Sequence, residues 1–259
     1  PASLSQKKPV VIAILGPTGS GKTAAAIELA QKLKTQIISC DSRGIYKNLK
    51  HLTAVPDGRW TKSEGSRVFM TKEHIRYHLT DFLSPAKKWS AQDFAQSATK
   101  KIKSILHKTN QVIIAGGSGF YWKTLAQGLD DLPQSDPKIR RRLNDQLAKG
   151  GLKPLLKKLK RLDPKTFARI DHKNPRRVQR ALELCLQLKK PLSLHLATST
   201  AKPMPWPHAA FSLDWPPDIL KERLQKRVHQ LLPGILNELS RMKKRYGAKF
   251  TQLPAFEAL

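Results

Sequence analysis

The chain has 259 residues, with 48 Lys+Arg against 19 Asp+Glu and a formal net charge of +29. Such a surface suits a partner with a polyanionic backbone, held through phosphate contacts and counterion release, and an enzyme of small metabolites has no need of it. No apolar stretch approaches the ~20 residues of a membrane-spanning helix. The two cysteines, Cys40 and Cys185, lie in apolar surroundings, which argues against a disulfide framework or a cysteine zinc site.

Val10 to Leu15 is an apolar run that reads as a buried strand. Gly16-Pro17-Thr18-Gly19-Ser20-Gly21-Lys22-Thr23 follows and fits G-x-x-x-x-G-K-[ST]; helix formers continue from Ala24 to Leu33. In this strand–loop–helix context the backbone N–H groups of the loop form an anion nest, and the helix aims its positive end at the same point. Lys22 adds a point charge, and the Thr23 hydroxyl is placed to hold Mg²⁺. A di- or triphosphate ligand is expected.

Gln36 to Cys40 reads as a second strand, ending in Asp41-Ser42-Arg43. Val112 to Ala115 reads as another, ending in Gly116-Gly117-Ser118-Gly119. In an open parallel sheet ligands bind outside the carboxyl ends of the strands, so Asp41 and Ser118 join the phosphate loop as candidates for chemistry.

From Lys138 to Lys190 there are 18 basic and 4 acidic residues, a net +14, and the apolar residues Leu152, Leu155, Leu156, Leu159, Val178, Ala181, Leu182, Leu184 and Cys185 recur at helical spacing. This segment reads as a helical insert with a positive face, bordered by Leu132-Pro133 and by the Pro- and Thr/Ser-rich stretch Thr198 to Pro207. Ala209 to Leu213 is a weaker strand, and Pro216-Pro217 starts a helix that sets Arg223 and Arg227 on one face, suited to phosphate oxygens if that face meets the crevice. The expected fold is α/β: a P-loop NTPase-like parallel sheet core (1–132), a helical basic insert (133–205), and a return to the core with C-terminal helices (206–259).

Five stretches together resemble the tRNA dimethylallyltransferases. They are the loop at 16–23, Ile-Ile-Ser-Cys-Asp-Ser-Arg (37–43), Gly-Gly-Ser-Gly-Phe-Tyr (116–121), Arg-Ile-Asp-His-Lys-Asn-Pro-Arg-Arg-Val-Gln-Arg-Ala-Leu-Glu (169–183) and Leu-Lys-Glu-Arg-Leu-Gln-Lys-Arg-Val (220–228). The similarity runs from about Val10 to about Arg241, and the lack of a Cys/His zinc-finger pattern resembles the bacterial form. The resemblance implies transfer of a dimethylallyl group from its diphosphate to the exocyclic amine of the adenosine 3′ of the anticodon. The loop then holds the donor diphosphate rather than ATP, and diphosphate is the leaving group. It implies catalytic roles for Asp41 at the adenine amine, and for Lys22, Thr23 with Mg²⁺, Ser118 and Arg223 at the diphosphate. It implies tRNA contacts from Asp41, Ser42, Arg43, Gly44 and Ser118, and from Arg140, Arg176, Arg177, Val178, Gln179 and Arg180.

The chain departs from the family in places. Gly44 stands where many members carry glutamine, Val55 replaces the lysine of Thr-Ala-Lys-Pro, Ser118 replaces threonine, and Leu188-Lys189 stands for Thr-Gly. Members continue into a Gly-Tyr motif and a basic helical tail that this sequence does not include. Two other classes fit parts of the pattern. A P-loop small-molecule kinase predicts ATP turnover but leaves the basic insert without a purpose. An RNA-binding relative without catalysis conflicts with the retention of Lys22, Thr23, Asp41 and a hydroxyl at 118. A cytoplasmic monomer without a membrane partner is expected.

Overall fold

The structure, a computed structural model, describes residues 8–63, 65–128, 130, 132–198 and 201–256. The chain divides into two compact units, one of Pro1–Gly128 with Pro203–Leu259 and one of Leu129–Lys202.

The first unit opens with β1 (Val10–Leu15), α1 (Lys22–Lys32) and β2 (Ile37–Ser39). It continues through β3 (Gly58–Ser63), β4 (Ser66–Thr71), β5 (Arg76–His78), α2 (Ala91–Leu106), β6 (Gln111–Gly116) and α3 (Gly119–Gln127). The second unit holds α4 (Pro137–Gly150), α5 (Lys153–Leu162), α6 (Pro164–Arg169), α7 (Pro175–Leu188) and α8 (Leu192–Ala197). The chain then returns to the first unit with β7 (His208–Ser212) and α9 (Pro217–Tyr246).

The strands form one seven-stranded sheet in the order β3-β4-β5-β2-β6-β1-β7. β1 pairs in parallel with β6 and β7, and β2 pairs in parallel with β5 and β6. β1, β2 and β6 are short apolar runs buried on both faces, as central parallel strands require. Helix α2 starts at a capping box in which Ser90 and Asp93 satisfy each other's backbone N–H groups. It lays Phe94, Ala98, Ile102 and Ile105 on the sheet beside Val11, Ile38 and Ile114. On the other face α1 sets Ala26, Ile27 and Ala30 against Ile37 and Ile113.

The expected parallel sheet is extended by an antiparallel hairpin. β3 and β4 pair antiparallel, and β4 pairs antiparallel with β5. The segment carries Lys and Arg on both of its faces, so its sequence shows no clean strand alternation. At the centre, β2 and β6 approach so closely at their carboxyl ends that a Cβ on Gly116 would lie 2.0 Å from the Cys40 carbonyl oxygen. That glycine brings the turns after the two strands side by side.

In the second unit the helices close on Leu143, Leu155, Leu159, Val178, Leu182 and Cys185. Asp163 ties it together: its carboxylate accepts from the Thr166 and Ser193 backbone N–H groups at 3.0 and 2.7 Å and from both hydroxyls. The sequence placed this insert at 133–205; contacts place the unit at Leu129–Lys202.

Candidate functional site

The loop between β1 and α1 wraps an anion-sized space. Gly21 caps α1 with φ +92°, a left-handed conformation that a side chain would strain, and no side chain caps the helix. The N–H groups of the first turn are therefore available to an anion. Lys22 Nζ donates to the Pro17 carbonyl at 3.0 Å, so the ammonium is folded back over the loop. Burial pulls its pKa below the usual lysine range; the Asp41 carboxylate opposes that shift and the Arg227 guanidinium adds to it. A diphosphate would add negative charge beside this buried ammonium and offset the cost of its burial.

The back of the loop is braced from α9 and from the residues just before it. Trp215 Nε1 donates to the Ser20 carbonyl at 2.9 Å and Arg223 Nε to the Gly19 carbonyl at 2.9 Å. The Arg223 guanidinium lies over the Trp215 ring, 4.7 Å from its centroid. One turn further along α9, Arg227 donates to the Ala54 carbonyl at 3.3 Å and lines the same cavity as Lys22, Thr23 and Asp41. Of the two arginines expected on this face, Arg223 is bonded to the loop backbone and Arg227 stands in the cavity wall.

Asp41 ends β2. Its Oδ1 accepts from the Arg43 and Gly44 N–H groups at 2.8 and 3.1 Å, an Asx turn that fixes the carboxylate at the cavity. Among the described residues no hydrogen bond reaches its Oδ2. Ser118 lies just beyond β6; its Oγ accepts from Ser42 N at 2.8 Å and donates to Ser42 Oγ at 3.1 Å. These bonds clasp the two strand-end turns that Gly116 brings together.

The remaining lining comes from Thr53, Val55 and Pro56, in the stretch where the chain departs from the family, from Ser39 of β2, and from Tyr77 and Thr80, which no motif singled out. Tyr77 is buried, and burial together with the Asp41 charge pushes its phenol up, so it stays neutral. Thr80 Oγ1 donates to the Gly44 carbonyl at 2.9 Å. The cavity thus brings together two cations, Lys22 at the start of α1 and Arg227 of α9, and the Asp41 carboxylate. Thr23 and Asp41 face this cavity, but among the described residues no group of three or more His, Cys, Asp or Glu is arranged to hold a metal alone.

Arg43 is turned elsewhere; its NH1 donates to the Ala255 and Pro254 carbonyls at 3.2 and 3.4 Å, holding the end of the described chain.

The second unit sorts the candidates at 140 and 176–180. Arg176 and Arg177 are exposed at the start of α7. Val178 and Gln179 are not on the surface: Val178 is fully buried among the core leucines, and Gln179 is buried with its Nε2 donating to Asn144 Oδ1 at 2.8 Å. The helical period decides this, because Val178 shares the inward stripe with Ala181, Leu182 and Cys185. Arg140 and Arg180 pair with Glu183 Oε2 at 2.6 and 3.3 Å, and Glu183 is fully buried. Arg180 also donates to the Pro133 carbonyl. These two arginines neutralise an interior carboxylate.

The sequence model of the IPP transferase family matches residues 44–259. A tRNA dimethylallyltransferase of Christiangramia forsetii is 37% identical over 232 residues, covering 89% of this chain and 72% of the relative. The chain belongs to the IPP transferase family. A tRNA dimethylallyltransferase of Neisseria meningitidis serogroup B is 32% identical over 253 residues, covering 97% of this chain and 77% of its own. Among solved structures, the tRNA isopentenylpyrophosphate transferase of Bacillus halodurans superposes with a TM-score of 0.57 at 26% identity, covering 97% of this chain and 76% of that one. A eukaryotic dimethylallyltransferase solved acting on tRNA shares the fold, with a TM-score of 0.74 at 24% identity; this chain spans 61% of its length. As a family member the chain is a prenyl transferase, and among its described residues no helix is long and apolar enough to cross a membrane.

Proposed function

We propose that this member of the family transfers a dimethylallyl group from dimethylallyl diphosphate to the exocyclic amine of the adenosine 3′ of the anticodon in tRNA. One observation carries the reading: a carboxylate fixed by its own turn, Asp41, faces Lys22, Arg227 and the uncapped start of α1 across a single cavity. A donor whose diphosphate lies against these cations directs its allylic carbon toward Asp41.

In the reaction the amine nitrogen forms a bond to the allylic carbon while that carbon's bond to the diphosphate oxygen breaks. Asp41 accepts the amine proton, which sharpens the nitrogen lone pair as the bond forms. Lys22, Arg227 and the N–H groups of the loop take up charge on the departing diphosphate. Arg223 and Trp215 act through the loop, holding the Gly19 and Ser20 carbonyls so that the N–H groups face the ligand. Tyr77, Val55 and Pro56 exclude water from the electrophilic carbon.

The Thr23 hydroxyl and the donor diphosphate fit Mg²⁺, which keeps several waters and takes few protein ligands. Such an ion supplies charge compensation on the diphosphate. The target base reaches the cavity by leaving its stack, a cost of a few kcal/mol that is smaller for an unpaired loop base. Arg176 and Arg177 supply exposed cations for the RNA backbone. A cytoplasmic monomer with reduced cysteines completes the proposal; Cys40 and Cys185 are both buried and free.

The test is diphosphate release with dimethylallyl diphosphate, Mg²⁺ and an anticodon stem-loop. Release that needs an adenosine 3′ of the anticodon supports the reading; release that ignores the RNA sequence contradicts it.

A further inference from the structure

Outside this cavity, on the far side of Gly44, the first unit carries a second cleft of about 240 Å³ lined by Lys47, Asn48, Trp60, Arg67, Asp81 and Phe82. Its walls are aromatic and set by their neighbours. Trp60 meets Phe69 edge-on at 6.0 Å between ring centroids, and Phe82 meets Trp89 at 5.2 Å. Its rim is cationic, with Lys47 and Arg67 exposed and the Arg67 guanidinium 5.3 Å from the Trp60 ring centroid. Its floor is the buried Asp81, whose Oδ1 accepts from Asn48 N at 3.1 Å and whose Oδ2 accepts from Trp60 Nε1 at 3.0 Å. Lys50 Nζ lies 3.6 Å from the same oxygen, so the floor charge is compensated and the rim field is positive.

Aromatic walls beneath a cationic rim suit one unpaired nucleotide, with its base stacked and its phosphate held by the rim. An acidic peptide would engage the rim and leave the walls unused. The cleft also adjoins the transfer cavity. Asp81 N donates to the Gly44 carbonyl at 2.8 Å, and Gly44 and Thr80 line that cavity. We propose that this cleft, to which the β3–β4 hairpin contributes Trp60 and Arg67, binds a nucleotide of the substrate strand near the one that enters the transfer cavity. The proposal rests on the RNA reading above and adds a contact made by the core unit itself, independent of the basic helices.

The test uses anticodon stem-loops carrying 5-iodouridine or 4-thiouridine at one loop position at a time, irradiated with the whole protein and donor. Cross-linked peptides are then located by mass spectrometry. The expected result is a cross-link from one loop position to Trp60 or Phe82. The double variant Lys47→Ala/Arg67→Ala should raise the KM for the stem-loop about tenfold, with kcat and the donor KM unchanged. Both positions are exposed, so the fold should survive the change. Wild-type transfer with cross-links only elsewhere, and an unchanged RNA KM in the double variant, would overturn the inference while leaving the function intact. Protection of Lys47 from acetylation by an acidic peptide, and not by the stem-loop, would overturn it in favour of a protein partner. A wild-type protein that neither transfers nor binds the stem-loop would remove the RNA reading and the cleft's role together.

Discussion

Glu238 accepts hydrogen bonds from the backbone N–H groups of both His51 and Leu52, each at 3.0 Å, and from the His51 ring Nδ1 at 2.9 Å. Glu238 is buried on α9, while the segment that it holds runs on through Thr53 to Pro56 to line the transfer cavity. Gly234, one turn earlier, is packed so tightly that a Cβ would stand 2.3 Å from the His51 ring. Helix α9 therefore sets one wall of the cavity from outside, through Glu238 at its C-terminal half and Arg227 at its N-terminal half.

Glu238→Ala leaves two backbone donors unsatisfied and should cost about 2–4 kcal/mol of stability. It should also raise the donor KM by loosening that wall. Glu238→Gln keeps one acceptor oxygen and turns an NH2 toward the other backbone N–H, so it should lose part of this stability and not all of it. Denaturant melts and donor titrations check both; equal stability of the alanine and wild-type proteins would show that the clasp is idle.

Asp41 separates turn from chemistry. Asp41→Asn retains an oxygen for the Arg43 and Gly44 N–H groups but is not a base, so the fold and donor binding should persist while turnover falls by at least 10²-fold. Turnover within a few-fold of wild type would remove Asp41 as proton acceptor.

The arginines of the second unit should divide by burial. Arg176→Ala/Arg177→Ala should weaken stem-loop binding and lower the salt slope by about two, with an unchanged melting temperature. Arg140→Ala should instead cost about 2–3 kcal/mol, because the buried Glu183 is left with the Ser135 hydroxyl and, among the described residues, Arg180 as its one charged partner. Circular dichroism melts and binding at a series of salt concentrations distinguish the two outcomes.

The phosphate loop and its strand and helix were legible because each level agreed: an apolar run, glycines where the backbone turns back, then helix formers. Asp41 and Ser118 were legible as strand-end residues, although the clasp between Ser118 and Ser42 needs the close approach at Gly116. The hairpin β3–β4 was hidden because its charges fall on both faces: Lys62 and Arg67 pair across the strands on the side of Trp60 and Phe69, while Arg59 lies on the other, so no clean alternation shows. Arg227 could not be told from Arg223 by spacing, because helix periodicity places both on one face and only the three-dimensional path of α9 separates them. Val178 carried two readings, apolar stripe and motif member, and the stripe determines where its side chain lies. Glu183 gave no sign of pairing with Arg140, which lies 43 positions away in sequence.

His78 supplies a pH test of the core. It ends β5 with its ring bonded to Gln36 Oε1 at 2.7 Å, and burial, with Lys101 and Arg76 adding, pulls its pKa from 6.5 to about 4. The folded chain keeps it neutral where the unfolded chain protonates it. Stability is therefore lost as pH falls from about 6.5 to about 4, by on the order of 3 kcal/mol. His78→Gln should flatten this slope; identical slopes in the two proteins would place the acid sensitivity elsewhere.

The most direct measurement is transfer of labelled dimethylallyl from its diphosphate to an anticodon stem-loop in the presence of Mg²⁺, with the modified nucleotide mapped. Label on the exocyclic amine of the adenosine 3′ of the anticodon, absent from a guanosine version and from Asp41→Asn, is the predicted result. ATP turnover without transfer to RNA, or RNA binding without transfer, would contradict the account.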